Sequence, residues 1–182
     1  MLFSFITTSL DGYYEGPDQE FDWPVVDEEF LAFSVEQLDT IDTVLFGRIT
    51  YEGMAEYWPS PDAAQDNPEI AHRMNATDKL VASRTLARAD WAPSRVLSEN
   101  VTGELERLKQ DRTIAIFGSS SLTASLLSVG VVDELRIMVN PIALGAGRSV
   151  LHSAAGRISL RLLRVRPFES GNVLLTYAPV AP

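Results

Sequence analysis

The feature that most constrains this chain is a series of short apolar runs that stop abruptly at glycine or serine. Thr43-Val44-Leu45-Phe46 stops at Gly47, Lys79-Leu80-Val81-Ala82 at Ser83-Arg84, and Thr113-Ile114-Ala115-Ile116-Phe117 at Gly118. Runs of four or five without polar alternation are the pattern of strands covered on both faces, as in a parallel sheet. Leu2–Ile6 is a similar run before the turn signal Ser9-Leu10-Asp11-Gly12. Helical spacing fills the intervals: Phe30, Phe33, Leu38 and Ile41 predict a helix over Glu28–Ile41. Val101, Leu105 and Leu108 predict a second, and Leu122, Leu126 and Leu127 another within Ser119–Gly130. Trp58-Pro59-Ser60-Pro61 and the polar stretch to Asn67-Pro68 read as a surface excursion. A weak strand is expected at Arg95–Leu97, and Leu135, Ile137 and Val139 alternate with polar neighbours. Two further alternating runs, Ile158–Leu163 and Val173–Tyr177, follow. The expectation is an α/β fold of about eight strands and four helices, parallel first and antiparallel at the C-terminal edge.

A length of 182 residues, 46% of them hydrophobic, suffices for one well-filled core, so residues 1–182 are expected to form a single domain. The absence of cysteine removes disulfides, thiolate nucleophiles and Cys-ligated metals. No apolar run reaches the roughly 18 residues that span a bilayer, and Met1–Thr8 lacks a basic leader, so a cytoplasmic protein with no membrane partner is expected. The formal charge of −10 disfavours nucleic acid as a partner.

In open α/β sheets, ligands bind beyond the carboxyl ends of the strands, where helix N-termini present free N–H groups. Gly118-Ser119-Ser120-Ser121 opens a helix and suits a diphosphate, although a serine-rich helix start is also an ordinary cap. Gly47-Arg48-Ile49-Thr50 offers a strand-ending glycine, a guanidinium able to clamp phosphate and a hydroxyl able to cap the next helix. Ser83-Arg84 is a third such exit. Three in succession favour a dinucleotide over coincidence.

These blocks resemble a known family. Thr8–Gly12 (TSLDG), Leu45–Glu52 (LFGRITYE), Leu80–Leu86 (LVASRTL), Ile114–Leu122 (IAIFGSSSL) and Val132–Leu151 (VDELRIMVNPIALGAGRSVL) are similar, in order, to the dihydrofolate reductase-like RibD C-terminal domains. The resemblance implies a three-layer α/β/α fold, NADPH as cofactor and reduction of a small heterocycle. The candidates are 5-amino-6-(5-phosphoribosylamino)uracil, as in riboflavin biosynthesis, or a dihydropterin. It implies that Thr8, Gly47, Arg48 and Thr50 lie along the cofactor and that Ser83 and Arg84 take its 2′-phosphate. Gly118, Ser119, Ser120, Ser121 and Leu122 would hold the diphosphate, with Ser9, Gly12, Trp23 and Gly145 bordering the substrate. Many members have two adjacent glycines at the diphosphate turn; here the second is Ser119, whose Cβ narrows its backbone freedom. The resemblance also implies a homodimer, as the exposed edge of the late strands suggests.

Hydride transfer calls for a proton source, and Asp11 and Asp27 are the candidates. Asp11-Gly12 is equally a turn dipeptide, and Asp27 at a helix start is equally favoured by the helix dipole. The neighbouring acids Glu15, Asp18, Glu20, Asp22, Glu28 and Glu29 do not match a calcium loop, so no metal is expected. The alternatives are true folate reduction, using Asp27 with an apolar slot from Trp23, Phe30 and Phe33, and a non-catalytic nucleotide-binding protein on the same fold.

Overall fold

The computed structural model describes residues 1–180; the last two residues of the expected 1–182 domain, Ala181 and Pro182, lie outside them. The strands are β1 (Leu2–Thr8), β2 (Tyr13–Glu15), β3 (Thr43–Gly47), β4 (Asp78–Ala82), β5 (Ser94–Leu97), β6 (Ile114–Phe117), β7 (Glu134–Val139), β8 (Arg148–Ser149), β9 (Leu160–Pro167) and β10 (Val173–Pro179). The helices are α1 (Glu28–Leu38), α2 (Arg48–Tyr57), α3 (Pro61–Asp66), α4 (Pro68–Ala76), α5 (Val101–Leu108) and α6 (Ser120–Ser128). Eight strands form one mostly parallel sheet in the order β5-β4-β3-β6-β1-β7-β10-β9, and β2 pairs with β8 in a small second sheet. The chain clusters into two compact units.

The first unit comprises Met1–Leu2 and Leu31–Ser119. Thr43 through Phe46 are buried, as are Leu80, Val81 and Ile114 through Ile116, which explains why these runs carry no polar alternation. β3 lies parallel to both β4 and β6, and β4 parallel to β5. Phe46, Tyr51 and Trp91 form an aromatic cluster beside them, in which the Trp91 N–H donates to the Tyr51 hydroxyl at 2.8 Å. Lys79 is 2% exposed; its ammonium donates to the carbonyls of Asn75 and Thr77 at 3.1 and 2.8 Å and lies 4.2 Å over the Trp91 ring. Burial holds its pKa down at about 8.

Two expectations need correction here. The surface excursion contains helix α3 and the start of α4, because Pro61 and Pro68 stand in first turns, where a missing N–H costs nothing. Ser60 caps α3 by accepting the Ala63 N–H at 3.2 Å. The helix expected to reach Ile41 ends at Leu38, where Thr40 and Ile41 turn back to the carbonyls of Gln37 and Leu38.

The second unit holds Phe3–Phe30 and the chain from Ser120 onward. β1 runs parallel to β7, while β10 runs antiparallel to β7 and β9, giving the expected antiparallel edge. β9 extends to Pro167, beyond the expected Leu163. A buried hydrogen bond of 2.8 Å between the Ser4 and Thr123 hydroxyls ties β1 to α6. The β2–β8 sheet was not anticipated. It pairs Tyr13 with Ser149 and Glu15 with Arg148, and a Cβ at Gly147, whose φ is +143°, would fall 2.2 Å from the Glu15 carbonyl oxygen.

Candidate functional site

The strand exits of the first unit are joined by one hydroxyl. Gly47 stands in the N-cap position of α2 and has no side chain to cap it; its N–H donates to Ser119 Oγ at 2.9 Å, and that hydroxyl donates to Thr50 Oγ1 at 2.8 Å. Thr50 therefore lies inside the first turn of α2 as an acceptor for Ser119 and does not cap the helix. Gly118 and Ser119 are consecutive left-handed residues, with φ of +64° and +49°. For Ser119 that conformation costs on the order of 1 kcal/mol, which its two hydrogen bonds offset. Arg48 pairs with Glu52 one turn along α2 at 2.9 Å, with both side chains about half exposed, an arrangement worth under about 1 kcal/mol that a phosphate can displace. At the β4 exit, Ser83 Oγ accepts the N–H groups of Thr85 and Leu86 at 3.2 and 3.0 Å and shares a longer hydrogen bond of 3.5 Å with the Thr85 hydroxyl. Arg84 is exposed and makes no ion pair among the described residues.

In the second unit, α6 begins at Ser120, which is 4% exposed and whose hydroxyl has no hydrogen-bond partner. A buried hydroxyl without a partner is costly, and here it stands in a first turn whose N–H groups have no acceptor within the helix. Ser121 is exposed and Leu122 half-buried beside it.

At the end of β1, Thr8 and Ser9 are buried, and the Thr8 carbonyl accepts the Asn140 N–H at 2.8 Å. Asp11 takes three donors: the Ser9 hydroxyl at 2.7 Å, the Leu144 N–H at 3.1 Å and the Gly145 N–H at 2.7 Å. These bonds, led by Ser9 and then Gly145, hold its carboxyl below the usual carboxylate range. An acid held ionised is a poor proton donor, so the geometry makes Asp11 a clasp between the two loops. Gly12 and Gly145 supply the turns, at φ of +86° and +75°. Asp27 accepts the Phe30 N–H at 2.8 Å, capping the first turn of α1 with one oxygen. The Trp23 indole N–H is buried without a partner, and its ring meets Phe21 edge-on at 5.5 Å.

Sequence reading missed the residues that hold the Trp23 segment. Asn140 Oδ1 accepts the Val25 N–H at 2.7 Å and Asn172 Nδ2 donates to the Val25 carbonyl at 3.0 Å. Both asparagines are buried, which the sequence does not show; there each is only an asparagine next to an expected strand. His152 stacks on Tyr14 at 6.3 Å, while His72 lies on α4 in the first unit.

A cavity of about 480 Å3 opens at the other ends of β3, β4 and β5, lined by Arg95, Arg107 and Arg112. Its arginines are committed, since Glu104 pairs with Arg95 and Arg107, and Asp78 with Arg112. No cluster of metal-ligating side chains occurs among the described residues, and no described helix is long and apolar enough to cross a membrane.

Comparison with solved structures defines the class. The chain superposes on dihydrofolate reductase from Enterococcus faecalis, complexed with NADP(H) and RAB-propyl, with a TM-score of 0.63 at 17% identity, covering 98% of this chain and 96% of that one. A putative riboflavin biosynthesis protein from Shewanella sp. PV-4 gives 0.74 at 19% identity over 99% of both chains. The fold is thus dihydrofolate reductase-like. The RibD C-terminal domain family matches residues 1–174, and the chain belongs to that family. Uncharacterized protein YyaP of Bacillus subtilis (strain 168) is 30% identical over 174 residues, covering 94% of this chain and 91% of the relative.

Proposed function

We propose that this chain is an NADPH-dependent reductase of a small nitrogen heterocycle of pterin or aminopyrimidine type. The observation that carries the proposal is the buried, unpartnered Ser120 hydroxyl in the first turn of α6, directly after two left-handed residues. An anionic diphosphate would satisfy both that hydroxyl and the helix N–H groups. The donor set therefore fits the cofactor. In the first unit Gly118 and Ser119, with Thr50, would meet the cofactor, and Gly47 permits close backbone approach; in the second unit Ser120, Ser121, Leu122 and Thr8 would do so. Arg48 would exchange Glu52 for phosphate. Ser83 and Arg84, a hydroxyl donor and an uncommitted guanidinium, suit a 2′-phosphate better than a 2′-hydroxyl, which calls for an acid.

When bound, NADPH supplies the hydride. Ser9, Gly12, Gly145 and Trp23 would border the acceptor ring, with the Trp23 N–H available to a ring oxygen. Asp11 clasps the loops and keeps its charge. Asp27 has one carboxylate oxygen beyond its cap and would hold the proton, or the water that carries it, for the ring nitrogen. The same reading makes the protein a cytoplasmic homodimer; edge strand β9, with Leu162 49% and Val165 50% exposed, supports pairing.

Titration with NADPH and NADH, followed by tryptophan fluorescence, tests the proposal. NADPH is expected to bind the more tightly, and Arg84→Ala to weaken it by roughly tenfold or more, as loss of a charge-assisted contact of about 1.5–3 kcal/mol requires. Absence of binding by either cofactor removes the reductase, and binding without turnover of pterins or aminopyrimidines leaves a nucleotide-binding protein.

A further inference from the structure

The β7–β10 ladder ends in a pair of buried side-chain amides whose shortest hydrogen bonds leave the sheet. Val139 lies opposite Val173, so the next positions outward on these antiparallel strands are Asn140 and Asn172, 1% and 0% exposed. Both side chains close on one residue of the irregular segment before α1. Asn140 Oδ1 accepts the Val25 N–H at 2.7 Å, and Asn172 Nδ2 donates to the Val25 carbonyl at 3.0 Å. An N–H needs an oxygen and a carbonyl needs an N–H, so each amide has one orientation that serves. Together they give Val25 the acceptor and the donor that a neighbouring strand would supply. Each asparagine is itself fixed by the backbone. The Asn140 N–H donates to the Thr8 carbonyl at 2.8 Å, and the Asn172 carbonyl accepts the Phe168 N–H at 2.9 Å. Gly171, at a φ of +90°, brings this turn so close to Pro141 that a Cβ would lie 3.3 Å from its Cγ. A second anchor lies four residues on, where the Glu29 carboxylate accepts the Glu169 N–H at 2.9 Å. Asp27 therefore stands midway between two held residues, and Trp23 stands two residues before the first.

Burying two polar side chains costs stability that an apolar pair at the same sheet end would not, but an apolar pair would leave Val25 unheld. Asn172 Oδ1 and the Trp23 indole N–H both stay buried without a partner, so the segment is kept in place with polar groups still unsatisfied. What the arrangement provides is position. We propose that Asn140 and Asn172 are positioning residues for the reduction: acting through Val25, they hold Trp23 against the acceptor ring and Asp27 beside the nitrogen that takes the proton. The proposal rests on the reductase reading and adds to it the groups that set its geometry. A carboxylate displaced by about 1 Å from the atom it serves can slow a chemical step roughly a hundredfold without weakening the contacts to the cofactor's diphosphate.

The test uses the full chain and scores the wild type first. A wild type that fails to bind NADPH, or that reduces neither 7,8-dihydropterin nor 5-amino-6-(5-phosphoribosylamino)uracil, defeats the reductase reading and the inference with it. With turnover established, Asn140→Ala, Asn172→Ala and Val25→Pro are compared, the last removing the gripped N–H while leaving both asparagines in place. Each is expected to bind NADPH within about twofold of wild type and to lose about tenfold or more in kcat for the ring that the wild type reduces. Hydrogen exchange of the Val25 N–H should quicken by about tenfold or more in both alanine variants. The Trp23 indole signal in the NMR spectrum, which is expected to shift when the ring binds the wild type, should no longer do so. Adding Asn140→Ala to Val25→Pro should lower kcat by no more than about a further twofold, because both changes break the same bond. Leu174→Ala, at a buried β10 position outside the grip, is the structural control; it should lower stability in urea and leave kcat within about twofold. A loss of kcat in Leu174→Ala equal to that in Asn172→Ala overturns the proposal, as does undiminished kcat in a folded Val25→Pro protein. If either asparagine variant fails to fold, Val25→Pro decides alone.

Discussion

Ser119 offers the sharpest test of the strand-exit geometry, because its backbone and its hydroxyl act in opposite directions. Replacing it with alanine keeps the left-handed strain and removes two hydrogen bonds, one from the Gly47 N–H and one to Thr50 Oγ1. Each is worth about 0.5–1.5 kcal/mol net, and the half-buried Gly47 N–H loses its partner, so Ser119→Ala should cost about 2 kcal/mol. Ser119→Gly loses the same bonds but gains on the order of 1 kcal/mol from relief of the left-handed backbone, partly offset by the greater freedom of the unfolded chain. It should therefore cost about 1 kcal/mol. Thr50→Val removes only the second bond, and the double variant Ser119→Ala/Thr50→Val should be less destabilised than the sum of the single changes by about 1 kcal/mol. Urea unfolding monitored by tryptophan fluorescence measures all four. A Ser119→Ala protein within about 0.5 kcal/mol of wild type would refute the hydrogen-bond argument. A glycine variant less stable than the alanine one would refute the strain argument.

Lys79 makes a prediction in pH. Its folded pKa of about 8 lies below the ordinary 10.5, so the buried charge costs stability below pH 8, and that cost disappears as pH rises toward 10.5. Relative to Lys79→Met, the wild type should gain on the order of 2 kcal/mol between pH 7 and 10; a stability difference that is flat across that range contradicts the burial argument. At Gly147, alanine would place its Cβ 2.2 Å from the Glu15 carbonyl oxygen at a φ of +143°. Gly147→Ala should therefore open the β2–β8 pairing, read as faster hydrogen exchange of the Val150 N–H, which donates to the Gly12 carbonyl.

What this sequence determines by itself is local and periodic. The central strands were legible because Val44–Phe46 and Ile114–Ile116 are buried, and strands covered on both faces favour unbroken apolar runs. The antiparallel edge was legible in the alternation of Val173–Tyr177, where Leu174 and Thr176 are buried and their neighbours are not. Pro61 and Pro68 were misread as loop because proline both breaks helices and starts them, and local sequence alone did not decide between the two. At the candidate site, residue types marked the strand exits, and Ser119 stood out against the usual glycine. Their roles depend on partners far along the chain. Asp11 reads as a turn residue until the amides of Leu144 and Gly145, more than 130 positions away, close on it. Arg148 carries no signal in the sequence, and only the β2–β8 pairing sets Glu15 against it. Only tertiary structure decides such cases, because a side chain's charge, protonation and availability depend on what surrounds it in space, whereas periodicity and turn chemistry report only on near neighbours in the chain.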